Sequence, residues 1–276
     1  MEADAHVAPS LPRVTSDSGR EDTRTDRPGP PVLDPRPGGP AEWFADRFGP
    51  ENPVRVFVVA LLASWALLVT AMVLFGLVLI HVVLPIGGLD EADADLSRWL
   101  ADNRTPTQED VSWVGSTLAG GHVIPAVIGL SLASFLITRR WLLAAFVLFA
   151  VVLESATYRA TSMIIDRNRP EVERLEQLPV HDSYPSGHTA ASIALYGGLL
   201  LLLASRIQRT ALRVVTVLVG IAIPLFVSWS RMYRGMHYVT DAGAGVLMGL
   251  GALALIVFVA RASRAAAERR DAGEVR

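Results

Sequence analysis

The sequence predicts an all-α protein: a bundle of six membrane-spanning helices behind a disordered N-terminal tail. Three observations predict it. Hydrophobic residues make up 51% of the 276 residues, mean hydropathy is +0.37, and only 19% of residues are charged, below the roughly 25% usual in soluble domains. The apolar residues are gathered into long uncharged runs, the mark of segments that cross a bilayer. Nine of the 17 prolines fall within the first 52 residues, which lack any aliphatic cluster.

The tail, 1–52, is too polar and proline-rich to bury the apolar surface that would offset its ordering entropy. It has no short apolar stretch behind a basic start, so it does not read as a secretory signal. The first apolar run, Val56 to Leu84, exceeds the ~20 residues that span a membrane. A polar stretch follows to about Asp110. Two runs, His122–Thr138 and Trp141–Tyr158, are separated only by Arg139 and Arg140. After a charged loop come Thr189–Ala204, Leu212–Trp229 and Tyr238–Ala260. Pro125, Pro224 and Gly249 inside these runs are compatible with membrane helices. The membrane domain is thus expected over 53–262, with 263–276 as a short second tail. Between spans one and two, Leu96, Trp99 and Leu100 share one helical face, as do Val111 and Val114; two short amphipathic helices lying in the interface, or a loop packed on the bundle, fit equally.

Orientation follows from arginine. Arg139 and Arg140, then Arg206, Arg209 and Arg213, then the arginines after span six, and Arg47 and Arg55, all fall on one side of a six-span chain. The opposite loop, Asp90 to Asp110, has seven acidic residues against Arg98 and Arg104. The arginine-rich side, with both termini, is expected to be cytoplasmic.

Composition also excludes chemistries. There is no cysteine, so disulfides, thiolate catalysis and Cys-ligated metals are out. All 25 basic residues are arginine, which removes lysine Schiff bases and the P-loop lysine. A formal net charge of −2 does not suit a nucleic-acid binder.

Three polar clusters stand at the outer ends of the spans: Asp166-Arg167-Asn168-Arg169-Pro170; Tyr184-Pro185-Ser186-Gly187-His188; and Ser230-Arg231 with His237 and Asp241. His237 and Asp241, four apart, share a face if the helix covers both. A carboxylate there can accept the Nδ1–H of the histidine and leave Nε2 as a nucleophile; a purely structural pair is the alternative. Ser186 is suited to an N-cap, Gly187 permits close backbone approach, and a helix start of this kind attracts anions. His188 in the first turn is placed to protonate a leaving oxygen. Arg169 and Arg231 can hold phosphoryl oxygens bidentately, with Arg167 and Arg234 as auxiliaries or as solvated loop residues. Glu154 lies inside span three, as a partner for Arg159, a buried hydroxyl or a functional group. His81 and His122 near span ends read as interfacial side chains.

Arg169-Pro170, Pro185-Ser186-Gly187-His188 and Ser230-Arg231-x5-His237-x3-Asp241 resemble the three-part signature of the type 2 phosphatidic acid phosphatase (PAP2) superfamily, shared with vanadium haloperoxidases. The resemblance implies a six-helix membrane bundle and hydrolysis of a phosphate ester or anhydride without a metal or cofactor. It implies His237 as the nucleophile, Asp241 orienting it and His188 as general acid, with Arg169, Arg231, Ser186 and the Gly187 backbone holding phosphate. In that signature a lysine stands seven residues before the arginine of Arg-Pro; here that position is Ser162, and Arg159, one turn earlier, is the candidate replacement cation.

The function expected is a membrane lipid phosphatase whose site faces out of the cytoplasmic membrane. Its substrate would be a lipid phosphate held in the bilayer: phosphatidic acid, phosphatidylglycerol phosphate, or a polyprenyl phosphate or pyrophosphate, as in recycling of the cell-wall lipid carrier. A haloperoxidase using the same pocket, a non-enzymatic lipid-binding protein motivated by Ser162, and a transporter are the competing readings. The span count opposes the first, the complete His–His–Asp set the second, and polar clusters at span ends rather than at the midplane the third.

Overall fold

In hydrocarbon each backbone N–H and C=O must be satisfied within its own segment, which turns the uncharged apolar runs into helices. The structure, a computed structural model, describes residues 29–177 and 182–274. After a 3-10 turn at Pro31–Leu33 come α1 (Pro40–Phe48), α2 (Pro53–Val78), α3 (Leu89–Asp102), α4 (Pro106–Leu118), α5 (Val123–Ile137) and α6 (Trp141–Ser162). α7 (Gly187–Ser192) and α8 (Gly198–Ala204) are joined by a π-helical turn at Ile193–Gly197, and α9 (Thr210–Tyr233) and α10 (Val239–Glu274) complete the chain. The starts obey local rules: Asn52 accepts the Arg55 N–H with Pro53 at the first helical position, and Thr105 accepts from Gln108 with Pro106 behind it.

Among the described residues five helical segments are long and apolar enough to cross a membrane: Pro53–Val83, Trp141–Ser162, Gly187–Ala204, Thr210–Tyr233 and Val239–Gly273. A bent pair, α4 and α5, is long and apolar enough for a sixth crossing when the two are taken as one span. The run expected as span two forms α5, whose 15 residues reach only about 22 Å, short of a ~30 Å hydrocarbon core. α4 meets it at 44°, and the two together reach the length of one crossing. The break falls at Ala119-Gly120-Gly121-His122, where two glycines interrupt the helical pattern. The two amphipathic helices expected between spans one and two are α3 and α4; Trp99 and Trp113 are exposed, while Asp93 and Ser116 are buried toward the bundle.

Two boundaries read from composition are corrected. Residues 29–52 were expected in the tail, yet Leu33, Ala41 and Ala45 are buried, and the Phe44 ring meets Phe258 edge-on at 5.5 Å. Residues 1–28 lie outside the described part. Likewise α10 runs on as helix past Ala262, because Ala262, Ala265 and Ala266 pack with Ala41, Ala45 and Val56 in one apolar cluster. Small residues at the contact let α1 dock close, which an apolar-run reading does not register.

α10 is the axis of the bundle, packed on α2, α6 and α7. Its approach to the start of α7 depends on Gly245: a Cβ there would stand 2.5 Å from the Ser186 carbonyl oxygen. That contact sets the second polar cluster against the third. Leu153, Ile165, Tyr184 and Met248 form the apolar floor beneath them, and the Tyr184 hydroxyl donates to the Met72 carbonyl.

Candidate active site

The turn between α9 and α10 carries His237. Its ring is 3% exposed, and Nδ1 lies 2.7 Å from the Ser183 carbonyl oxygen. A carbonyl only accepts, so Nδ1 carries a proton and Nε2 is the nitrogen left with a lone pair. The Asp241 carboxylate, expected at Nδ1, sits elsewhere. It accepts from the Ser183 hydroxyl and the Tyr238 N–H and is paired with Arg167. The four-residue spacing does not bring the pair together because α10 begins at Val239, so His237 stands in the preceding turn. Asp241 therefore grips Ser183, and Ser183 grips the histidine.

Arg167 is not solvated. It bridges Asp241 and Asp93, donates to the Thr240 hydroxyl and stacks over the Tyr238 ring. Asp93, from α3, also receives the Thr240 N–H and hydroxyl. These buried charges are mutually paired, the only arrangement in which burying them is tolerable.

Arg169 is 7% exposed and donates to the Met236 carbonyl. Burial lowers its pKa, opposed by Tyr158 and reinforced by the charges of Arg231 and Arg174; an arginine nonetheless remains charged. Arg231 is completely buried. Its Nη1 donates to the Ser116 hydroxyl and to Glu176, while Nε and Nη2 have no partner among the described residues. A guanidinium presents Nε–H and Nη2–H on one edge, the edge that binds two oxygens of a carboxylate or phosphate. Burial opposes ionisation of Glu176, but Arg231, the Ser116 hydroxyl and Arg234 outweigh it and hold the carboxyl at about 2. Arg234 donates through Nε to Glu176 and through Nη1 to Ser112.

α7 starts at Gly187, with the Tyr158 ring 3.1 Å from where a Cβ would stand. Ser186 occupies the N-cap position, but its hydroxyl pairs with that of Thr189 instead of capping the helix. Ala190 is the residue whose N–H turns back to Ser186, so the N–H groups of the first turn point out of the helix start. His188 is within electrostatic reach of Arg231, Glu176 and Arg169. Burial, then Arg231, Arg169 and His188, lower the His237 pKa well below its ordinary value, against the Ser183 carbonyl.

The structure thus brings together His237, His188, Arg169 and Arg231 beside the start of α7. Asp241 and Arg167 form a layer behind them. Arg159 is exposed, and the Ser162 hydroxyl donates back to the Arg159 carbonyl of its own helix. Glu154 is 1% exposed and accepts from Ser155; a pairing with Arg159 is not what it forms. Sequence reading passed over Glu176, Ser116, Ser183 and Asp93. Ser183 adjoins the second cluster, but Glu176 and Asp93 had no signal beyond being acidic in outer loops. Among the described residues no three His, Asp or Glu side chains converge as metal ligands.

The model of the PAP2 superfamily matches residues 143–265, which hold all three polar clusters. The resemblance read from the motifs is borne out. A solved membrane phosphatase of this type, the phosphatidylglycerolphosphate phosphatase of Bacillus subtilis, shares the fold at a TM-score of 0.59 and 22% identity, covering 68% of this chain and 93% of that one. Aquifex aeolicus LpxE aligns at a TM-score of 0.46 and 21% identity, over 59% of this chain and 92% of its own. Among curated proteins no sequence matches the chain. The chain shares its fold with the Bacillus subtilis membrane phosphatase.

Proposed function

We propose that this PAP2-superfamily chain is an integral-membrane, metal-independent phosphatase acting on a lipid phosphomonoester or pyrophosphate through a phosphohistidine. The observation that carries the reading is the buried Nε/Nη2 edge of Arg231, unpaired among the described residues, beside His237, His188 and Arg169. A buried cation with two undirected donors is costly unless an anion takes them.

In this reading the phosphoryl group enters between Arg169, Arg231 and the first N–H groups of α7. His237 Nε2 attacks phosphorus, the P–O bond to the lipid breaks, and His188 gives its proton to the departing oxygen. Water then attacks the phosphohistidine, His188 takes the proton, the P–N bond breaks and phosphate leaves. The guanidiniums stabilise charge on the equatorial oxygens in both steps. The Ser183 carbonyl holds the His237 tautomer, and Asp241 with Arg167 holds Ser183. The clusters at span ends suit a lipid whose chain stays in the bilayer, and the arginine-rich opposite end supports an outward-facing site with cytoplasmic termini. That orientation favours a polyprenyl pyrophosphate over lipids made on the inner side.

The test is phosphate release by the detergent-solubilised full chain from phosphatidic acid, phosphatidylglycerol phosphate and undecaprenyl pyrophosphate, with EDTA present. Release that survives EDTA and disappears in His237→Ala supports the reading, and the best substrate names the lipid. A non-enzymatic lipid-binding protein is the second reading, favoured by one observation: Ser162 turns its hydroxyl onto its own helix and replaces no cation. It predicts folded protein with no release from any of the three.

A further inference from the structure

We propose that a groove between α7–α8, α9 and α10 holds the hydrocarbon chain of the lipid whose phosphate the site takes; the inference rests on the phosphatase reading. The cavity measures about 390 Å³ and is lined wholly by Ile, Leu, Val, Gly and Pro. That volume is at the small end for ligand pockets, ~300–1,000 Å³, and suits one chain. No polar side chain lines it, so within a membrane it suits hydrocarbon.

Its position ties it to the substrate. Ile193 follows His188 by five residues, Pro224 precedes Arg231 by seven, and Val246 follows Asp241 by five. At 1.5 Å per residue the groove opens about 8–10 Å below the polar cluster on all three walls and continues about another 10–12 Å toward Leu201, Val217 and Leu253. A lipid whose phosphate reaches Arg231 therefore begins its chain at the mouth of the groove.

The backbone also keeps this space open. One wall contains the π-helical turn Ile193–Gly197, the other has Pro224 inside α9. Proline cannot donate to the Gly220 carbonyl four residues before it, and its ring pushes that turn away. A π-turn is an insertion most often kept where function needs it. Gly197 and Gly220 leave their wall positions without side chains, and a Cβ at 220 would stand in ordinary contact with Leu200, 3.4 Å from its Cβ. Helices of such apolar composition would otherwise pack flush.

Filling the groove tests this in the full chain in detergent. Gly220→Leu is the first variant and Val217→Trp the second, should the first fold poorly. Leu218→Trp, on the neighbouring exposed face and outside the groove, is the control. Rates are compared on dioleoyl and dihexanoyl phosphatidic acid. Groove filling is expected to raise KM for the dioleoyl lipid about tenfold, with the dihexanoyl values and the control unchanged. Equal shifts on both lipids, or none, would overturn the proposal. A second readout needs no turnover: phosphatidic acid carrying a diazirine in its acyl chain, photolysed on His237→Ala protein. It should label the α9 peptide spanning 217–225, and Gly220→Leu should abolish that label. Labelling without hydrolysis by the wild type would sink the phosphatase reading and keep the groove; hydrolysis with labelling elsewhere would do the reverse.

Discussion

His237 Nδ1 donates to the carbonyl of Ser183 at 2.7 Å, and the Ser183 hydroxyl of the same residue donates to Asp241. One residue thus stands between the acid and the histidine that the sequence pairs directly. The carbonyl fixes the tautomer whatever the charge of Asp241, so Asp241 acts by holding Ser183 in place. Asp241→Asn is expected to slow hydrolysis by roughly ten- to a hundredfold, as when a group orienting a reactive ligand is removed. His237→Ala should remove it entirely. Equal losses in the two variants, measured as single-turnover phosphate release, would return Asp241 to the direct role.

Arg231 and Glu176 make the second prediction. Glu176 and Ser116 anchor Nη1, which leaves the Nε/Nη2 edge without a hydrogen-bond partner among the described residues. A lysine has no such edge, so Arg231→Lys should lower kcat by about 10²–10³, the usual loss of an oxyanion donor. Glu176→Gln keeps the acceptor but drops the charge, and should weaken kcat less than Arg231→Lys does. If Glu176→Gln raised the rate instead, the carboxylate would be competing with substrate for Arg231 and not anchoring it. Steady-state kcat and KM on both variants decide.

How much of this was legible beforehand follows from the range of each interaction. The six apolar runs and three polar clusters are local patterns, and they marked the helices and the residues that converge beside the start of α7. Contacts of high sequence separation left no local trace. Asp93 meets Arg167 across 74 residues and Glu176 meets Arg231 across 55, and neither acidic residue differs in pattern from its loop neighbours. Span two is the least complete of the apolar runs: α5 is short, and it is long and apolar enough for a crossing only together with α4, which meets it at 44°. The docking of α1 was hidden by the prolines around it, which mark a loop by composition even where Leu33 and Phe44 find a core.

Protonation of His237 is the third prediction. Burial and the positive charges of Arg231, Arg169 and His188 disfavour the imidazolium. A lowered pKa means that the neutral ring persists as pH falls past about 6.5, the ordinary imidazole value. With histidine labelled by 15N, the difference spectrum between wild type and His237→Ala should contain an unprotonated Nε2 at pH 6. Arg231→Gln removes the largest charge contribution and should move the titration back up. An imidazolium at pH 6 in the wild type would contradict the electrostatics of the site and leave the nucleophile unavailable there.

The missing lysine gives the last prediction. Arg159 was the candidate substitute, being one turn before Ser162. The structure leaves it exposed on α6, and Ser162 bonds to its carbonyl rather than toward the pocket. The loop after the first cluster offers another cation: Arg174 is close enough to Arg169 to lower its pKa, and both line one outer cavity of about 450 Å³. Arg159→Ala and Arg159→Lys should therefore leave turnover unchanged. Arg174→Ala should raise KM by roughly two- to fivefold, since an exposed cation contributes only about 0.5–1 kcal/mol through screened charge. The increase should shrink further as salt is added, because screening at ~10 Å sets in near 0.1 M. A fall in turnover with Arg159→Ala that Arg159→Lys repairs would instead make Arg159 the cation that replaces the lysine.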